Sequence, residues 1–521
     1  MKRYLALILF LFLICCGITT SNAGTRSSRI IIFIDTSNVK QTMVGFGASD
    51  AWGCQFIGQN WPLEKREQIA DWLFSNDTLA NGQPRGAGLS IWRFNIGGGT
   101  SEQGDSSNIE DEWRRTECFL NEDGTYDWRK QQGQQWFLQA AKKRGTEKFI
   151  AFSNTPPVYL TKNGKGWSPG GSSVNLAPGN YSRYADFLKQ VLIHFNTHNF
   201  HFDILSPFNE PQWNWDGKGQ EGTPCQNFEM YQAIMEISKS ISQAGLNTKI
   251  EVPEAGQIDF LFMDSTNLPD RDNQVFDFFD PTSHLYLGML PNIAQSIAGH
   301  SYFSTYDTEH MKKMRAALHS KIRATNKNLS YNMTEYCILE DNKVIRGEKR
   351  DLGMQAALYV AKVIHYDLTL AHASSWQWWV AVSPYDYKDG LVYTDKNKTD
   401  GNIYDSKMLW ALGHYSFFVK PDMVRIESTT SENVVCSDSE EGLLTTVFKS
   451  RDNKKMIAVL VNLSETTQQI QLGLDPDKFN KVRIYRTTSE PGENIMPSGG
   501  CNISDCIDIS AQSIVTLEIV Q

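Results

Sequence analysis

The chain reads as a (β/α)8 TIM barrel with an accessory all-β sandwich, on three observations. Short apolar, strand-like runs recur between residues 44 and 380 with starts 34 to 59 residues apart, one strand-plus-helix unit with long loops. Amphipathic helical stretches separate these runs. Beyond residue 410 the helical period stops and closely spaced apolar runs with polar turns take over, as in antiparallel sheets.

In chain order, Lys2 and Arg3, the apolar run Tyr4 to Ile14 and Ser21-Asn22-Ala23 before Gly24 have the layout of an export signal. Residues 1–23 are therefore expected to be removed, and the mature protein to be secreted, periplasmic or at the cell surface. Cys15 and Cys16 follow the apolar run, and a lipid anchor on Cys16 is the alternative. That run is short for a bilayer span, and no later segment reads as one. Residues 24–43 hold the strand-like Arg29–Ile34, expected to join the sandwich. The barrel, residues 44–410, should place its strands near Val44–Ala48, Leu89–Phe94, Lys148–Ser153, Ile204–Phe208, Lys249–Val252, Ser283–Leu287, Leu329–Thr334 and Ser374–Val380.

Between these, Tyr181, Tyr184, Leu188, Val191, Leu192 and Phe195 recur at helical spacing. Gly145 after Lys142-Lys143-Arg144 marks a helix end, with cations at the negative pole. Leu352 to Leu370 gives a second clear helix. In residues 411–521, Leu443–Phe448 and Met456–Val461 flank a polar turn as a hairpin, and Lys481–Tyr485 and Ser513–Ile519 add strands.

With 521 residues, 40% hydrophobic, the chain can bury a large core. A net charge of −9 without a long basic run argues against nucleic acid as a partner. Seven cysteines remain after the signal, an odd and scattered set. Cys501 and Cys506 are the one sequence-local pair; free thiols are the equal alternative. Neither paired Cys-x-x-Cys nor His-Glu-x-x-His occurs, so no catalytic metal and no cofactor is expected. Gly45-Phe46-Gly47 starts like a dinucleotide loop, but Asp50 stands where the third glycine belongs. Gly97-Gly98-Gly99 lacks the Lys-Ser/Thr of a phosphate loop. Both are read as turns.

The chemistry lies in two glutamates. Glu210, in Ser206-Pro207-Phe208-Asn209-Glu210-Pro211, sits where prolines end the fourth barrel strand, and Glu335 ends the seventh. Most glutamates are solvated surface charges, and Asn-Glu-Pro is common. The barrel, however, places both carboxylates on the carboxyl-end rim, where active sites of this fold lie. Paired carboxylates among aromatics suit hydrolysis of a sugar–sugar bond, which needs a proton donor and a nucleophile or base. Glu254, ending the fifth strand, is the chief rival carboxylate and is ranked as supporting. Arg93 is the candidate cation beside Glu335, with a structural ion pair as its alternative. His284 and Tyr286, in the expected sixth strand, are candidate hydrogen-bonding groups, against a core histidine. Asn154 ends the third strand as a subsite candidate. Trp376 and Trp378 should share one face of the last strand, either the rim as a sugar platform or the helix layer.

Gly45-Phe46-Gly47-Ala48-Ser49-Asp50-Ala51-Trp52, Trp92-Arg93-Phe94-Asn95, Asn209-Glu210-Pro211-Gln212-Trp213, Trp376-Gln377-Trp378-Trp379 and Asp386-Tyr387-Lys388-Asp389-Gly390-Leu391 resemble glycoside hydrolase family 30, in its endo-β-1,6-galactanase branch. The likeness runs from about Val44 to Tyr404. It implies that Glu210 is the acid/base and Glu335 the nucleophile of a retaining double displacement on a poly- or oligosaccharide. Asn209 would meet the sugar 2-hydroxyl. Retention predicts carboxyl groups about 5–5.5 Å apart. Another β-glycan (xylan, β-1,6-glucan, a glycosylceramide) and a non-catalytic glycan-binding barrel are the alternatives.

Overall fold

The computed structural model describes residues 29–431 and 442–521; the export-signal reading, Cys16 and Cys436 lie outside them. In chain order the strands are β1 (Ile30–Thr42), β2 (Gly45–Ser49), β3 (Ile91–Asn95), β4 (Lys148–Phe152), β5 (Ile204–Ser206), β6 (Lys249–Ala255), β7 (Ile293–His300), β8 (Ser330–Tyr336), β9 (Ala373–Ser383), β10 (Gly390–Thr394), β11 (Ile403–Asp405), β12 (Val424–Thr430), β13 (Leu443–Lys449), β14 (Lys455–Asn462), β15 (Gln468–Gly473), β16 (Lys481–Thr487), β17 (Met496–Asn502), β18 (Ile507–Ile509) and β19 (Ser513–Val520). β2 to β9 pair in parallel, and β9 closes on both β2 and β8, making an eight-stranded barrel. β1 and β12–β19 form a separate nine-stranded sheet, with β1 antiparallel to β12 and parallel to β15.

One expected strand is corrected. Ser283–Leu287 forms turns, because Asp280 accepts from the backbone and hydroxyl of Thr282 and Leu287 N–H returns to Phe278. The sixth barrel strand is β7, ten residues further on, where Ile297 pairs with Val252 of β6 and Tyr331 of β8.

The helix Tyr181–Thr197 buries Tyr184, Phe187, Leu188, Val191, Leu192 and Phe195, the face its spacing marks out. Its Tyr184 hydroxyl donates to Pro207 O at 2.6 Å and so holds the turn that carries Glu210. The helix Gln132–Lys143 ends at Gly145, whose φ of +90° suits a residue without a Cβ.

β14 shows why the sheet packs on the barrel. Met456, Ala458 and Leu460 enter the sheet's own core, while Ile457, Val459 and Val461 join the barrel's core. Both faces are buried, so the run is apolar throughout. His365 and His414, on helices beneath the sheet, bond Thr446, Thr516 and Thr487 at 2.8 Å each; burial pushes both histidines down to about 3. Cys501 and Cys506 are free thiols. No described helix is long and apolar enough to cross a membrane.

Candidate active site

A cleft of about 530 Å³ opens at the carboxyl end of the barrel, lined by Trp52, Arg114, Asn209, Glu210, Trp213, Trp215, Tyr302, Phe303, Glu335, Trp379 and Tyr387 among others. A larger hollow, about 680 Å³, lies at the opposite end between residues 39–44, His319 and His372, but Asp422 is its one carboxylate. The smaller cleft is the one that brings Glu210 and Glu335 together.

Glu210 follows β5 on backbone in the left-handed region, φ +46°, and Glu254, at the register break near the end of β6, shares it, φ +60°. Such conformations cost energy in non-glycine residues and cluster where function over-determines the backbone. Here Glu210 N–H donates to Glu254 O at 2.8 Å, and Trp215 Nε1 donates to Glu210 O at 3.0 Å. Glu335 comes from β8, in register with His300 of β7. An oxygen of Glu210 and an oxygen of Glu335 lie within 4.8 Å of each other.

The two carboxyls have different partners. Glu335 accepts from Arg93 Nη1 at 2.5 Å and from the Tyr302 hydroxyl at 3.1 Å, one donor on each oxygen. Arg93 is fully buried, lies over the Phe152 ring at 3.9 Å, and also donates to Asn209 Oδ1 at 2.9 Å. Glu210 bonds His300 Nδ1 at 3.0 Å. Burial, with the charge of Glu335 adding to it, outweighs His300 and raises the Glu210 carboxyl above its ordinary range. This is the pattern of a proton donor facing an anion.

Glu254 is the support beneath. It lies 3.5 Å from Arg93 Nη2 and 3.1 Å from His300 Nε2, and accepts hydroxyls from Ser206 and Thr334. Burial pushes it up, but Arg93 and His300 more than offset that and hold it down at about 2. Burial likewise disfavours the His300 imidazolium, yet Glu335, Glu210 and Glu254 raise it to about 9. Glu210, His300 and Glu335 are close enough to surround an ion. With both its ring nitrogens bonded to carboxylates and a proton retained, however, His300 has no lone pair for a metal.

Of the residues named from sequence, Glu210, Glu335 and Asn209 line this cleft, with Arg93 directly below. Asn154 is buried outside its lining. His284 is exposed and Tyr286 half-buried on the turn that replaced the expected strand. The groups sought there are His300 and Tyr302, the same His-x-Tyr spacing on β7 and just beyond it. Trp376 and Trp378 do share a face, ring centroids 6.2 Å apart, but it is the buried one: Trp376 Nε1 donates to Asp367 on a packed helix, and Trp378 Nε1 to Asp389 O. Trp379 lines the cleft instead. Ala48 pairs with Trp378 but Ser49 with Val380, so Trp379 is the extra residue of a bulge, and bulges re-aim side chains beside active sites.

A family model described as O-glycosyl hydrolase family 30 matches residues 29–393. An endo-β-1,6-galactanase from Hypocrea rufa is 29% identical over 232 residues, 41% of this chain and 47% of that protein, so the match spans about half of its length. A conserved exported protein from Bacteroides fragilis, seen by crystallography, superposes with a TM-score of 0.87 at 34% identity, over 94% of this chain and 100% of that one. The catalytic domain of GH30 xylanase C from Talaromyces cellulolyticus gives a TM-score of 0.66 at 21% identity, over 94% and 100% of the two chains; at that identity the likeness is one of fold.

Proposed function

The chain belongs to O-glycosyl hydrolase family 30; from that premise we propose that it is a β-glycan hydrolase, an exported, retaining endo-β-1,6-galactanase acting on arabinogalactan-type side chains. The observation that carries the mechanism is the carboxyl pair with oxygens within 4.8 Å. That spacing favours a nucleophile over the roughly 6.5–9.5 Å gap that leaves room for an attacking water.

Glu335 attacks the anomeric carbon, its carboxylate supplied with donors by Arg93 and Tyr302. Glu210, whose carboxyl is raised, gives its proton to the departing oxygen. Water then enters from the leaving-group side, Glu210 takes its proton, and the glycosyl–Glu335 ester is released. Arg93 links both halves of the site, holding Glu335 and the Asn209 amide, which is thereby positioned for the sugar 2-hydroxyl. Trp379, Trp213 and Trp215 offer apolar faces for sugar rings. The likeness to an endo-β-1,6-galactanase supports the substrate, and that to an exported protein supports export.

The test is product analysis of de-arabinosylated arabinogalactan digested by the mature protein, with Glu335→Gln alongside and xylan and β-1,6-glucan in parallel. Short β-1,6-galacto-oligosaccharides from the unmutated protein alone are expected. Products from xylan or β-1,6-glucan only would overturn the galactanase reading and leave the mechanism.

A further inference from the structure

The hollow of about 680 Å³ at the amino end of the barrel gathers more positive charge than the carboxylates around it balance. Lys40 of β1, His319 and Arg323 of the helix Thr308–Thr325, and His372 just before β9 all line it. His319 and His372 stack face to face, ring centroids 3.9 Å apart. Burial pushes both rings down, His372 to about 3, and the charges that add most to this are all positive: Arg323, Arg425 and Lys40 act on both. Arg425, on β12, stands behind this wall. Its Nε donates at 3.0 Å to the side chain of Gln41, a lining residue, and Gln41 donates to Leu368 O and Ala373 O. Arg425 is 3% exposed, and its Nη2 has no hydrogen-bond partner among the described residues.

The neighbouring carboxylates are committed elsewhere. Glu427, which acts on Arg425, is bonded to Lys40 at 2.8 Å, Asp422 pairs with Arg451 at 3.0 Å, and Asp203 with Lys148 at 3.3 Å. Arg323 bonds a backbone carbonyl, Lys327 O. Setting Lys40 against Glu427 therefore leaves two guanidinium groups beside two imidazoles.

Bracing Gln41 does not account for Arg425, because that takes one N–H, which an amide would supply without charge. A buried, under-bonded guanidinium is costly unless an anion completes it. Cations brought together from several elements suit an anion with oxygens in several directions, a tetrahedral phosphate, better than the flat fork of a carboxylate. The whole chain is acidic, at −9, so the attraction is a local field focused by the walls of the hollow.

We propose that this hollow is a second binding site, for a phosphate group, with Arg323, Arg425 and the stacked imidazoles of His319 and His372 as its hydrogen-bonding groups. It lies at the far end of the barrel from Glu210 and Glu335 and takes no part in the hydrolysis. Soluble phosphate esters and lipid phosphate headgroups share the chemistry that it fits.

The experiment is isothermal titration of the mature protein with inorganic phosphate at neutral pH, in chloride buffer of fixed ionic strength. One site with a dissociation constant in the millimolar range or below is expected, with the ring-proton signals of His319 and His372 moving as it fills. Arg323→Gln and Arg425→Gln should each weaken binding about tenfold, the worth of one charge-assisted contact, and leave glycan turnover unchanged. Arg425 is buried, so if its variant does not fold, the exposed Arg323→Gln carries the test. Cosedimentation with phosphatidic acid vesicles separates the two sources. Sedimentation that free phosphate competes away supports the site with a lipid headgroup as its ligand; phosphate binding without sedimentation supports it with a soluble ester. No saturation by about 10 mM phosphate, or an affinity that Arg323→Gln leaves unchanged, overturns the proposal.

Discussion

Glu254→Gln removes one buried negative charge from the centre of the barrel while keeping the size of the side chain. In the native protein this carboxyl is held at about 2, against an ordinary 4.5, by Arg93 and His300 working against its burial. A shift of that size is worth about 3 kcal/mol of stability. Because the folded value is depressed, the contribution is fully present above pH 4.5 and is lost as pH falls through about 2. Removing one partner of a buried charge cluster gives the same figure, since Arg93 and His300 keep their charges. The urea midpoint of Glu254→Gln at neutral pH should therefore fall by the equivalent of about 3 kcal/mol, and the gap should narrow in acid. His300 supplies the opposite sign. Raised to about 9, its contribution is complete below pH 6.5 and lost as pH rises through about 9. Without Glu254 one carboxylate that raises it is gone, so the alkaline loss should be smaller and be complete at a lower pH. Midpoints followed by tryptophan fluorescence from about pH 3 to about pH 9 would report both. A loss below about 1 kcal/mol, or a gap that does not change with pH, would refute the charge reasoning.

Other outcomes follow from the same geometry. Glu335→Gln should cut turnover by at least about 10⁴-fold with folding intact by circular dichroism, since no other group replaces the nucleophile. Glu210→Gln should slow poor leaving groups by about 10²–10⁴-fold and activated aryl glycosides far less, read as kcat/KM across a leaving-group series. Trp379→Ala should lower kcat/KM on natural glycan about tenfold through the lost cleft surface, and, because the ring is only 5% exposed and packs on Trp52 and Phe152, it should also cost about 3–5 kcal/mol of stability. Trp378→Ala, one residue away and outside the cleft lining, should cost a similar amount by urea titration, about 3–5 kcal/mol, the worth of a buried tryptophan, and the two differ in that only Trp379 borders the cleft.

The residues that set these predictions differ in how far the sequence revealed them. Glu210 and Glu335 were legible because each ends an apolar run, and the barrel rhythm turns strand ends into one rim. Arg93 was legible as a charge inside the apolar β3, where only a partner could hold it. His300 was not, because β7 is diluted by Ala294, Gln295, Ser296, Ala298 and Gly299, whereas Leu285 and Leu287 gave a nearby turn the alternation of a strand. The signal that could have found it is the His-Ser-Tyr that ends the run. Trp379 was hidden for another reason: alternation pairs Trp376 with Trp378 correctly, but a bulge is a register event between strands that one strand's pattern does not encode.

The account turns on Glu335 acting as a nucleophile within reach of Glu210. Proton NMR of the first-formed product, recorded before mutarotation, tests this most directly. Double displacement predicts that the reducing end appears first as the β anomer, with the α form growing in later. An α anomer at the earliest times would mean direct attack by water, and would contradict the reading of the carboxyl pair.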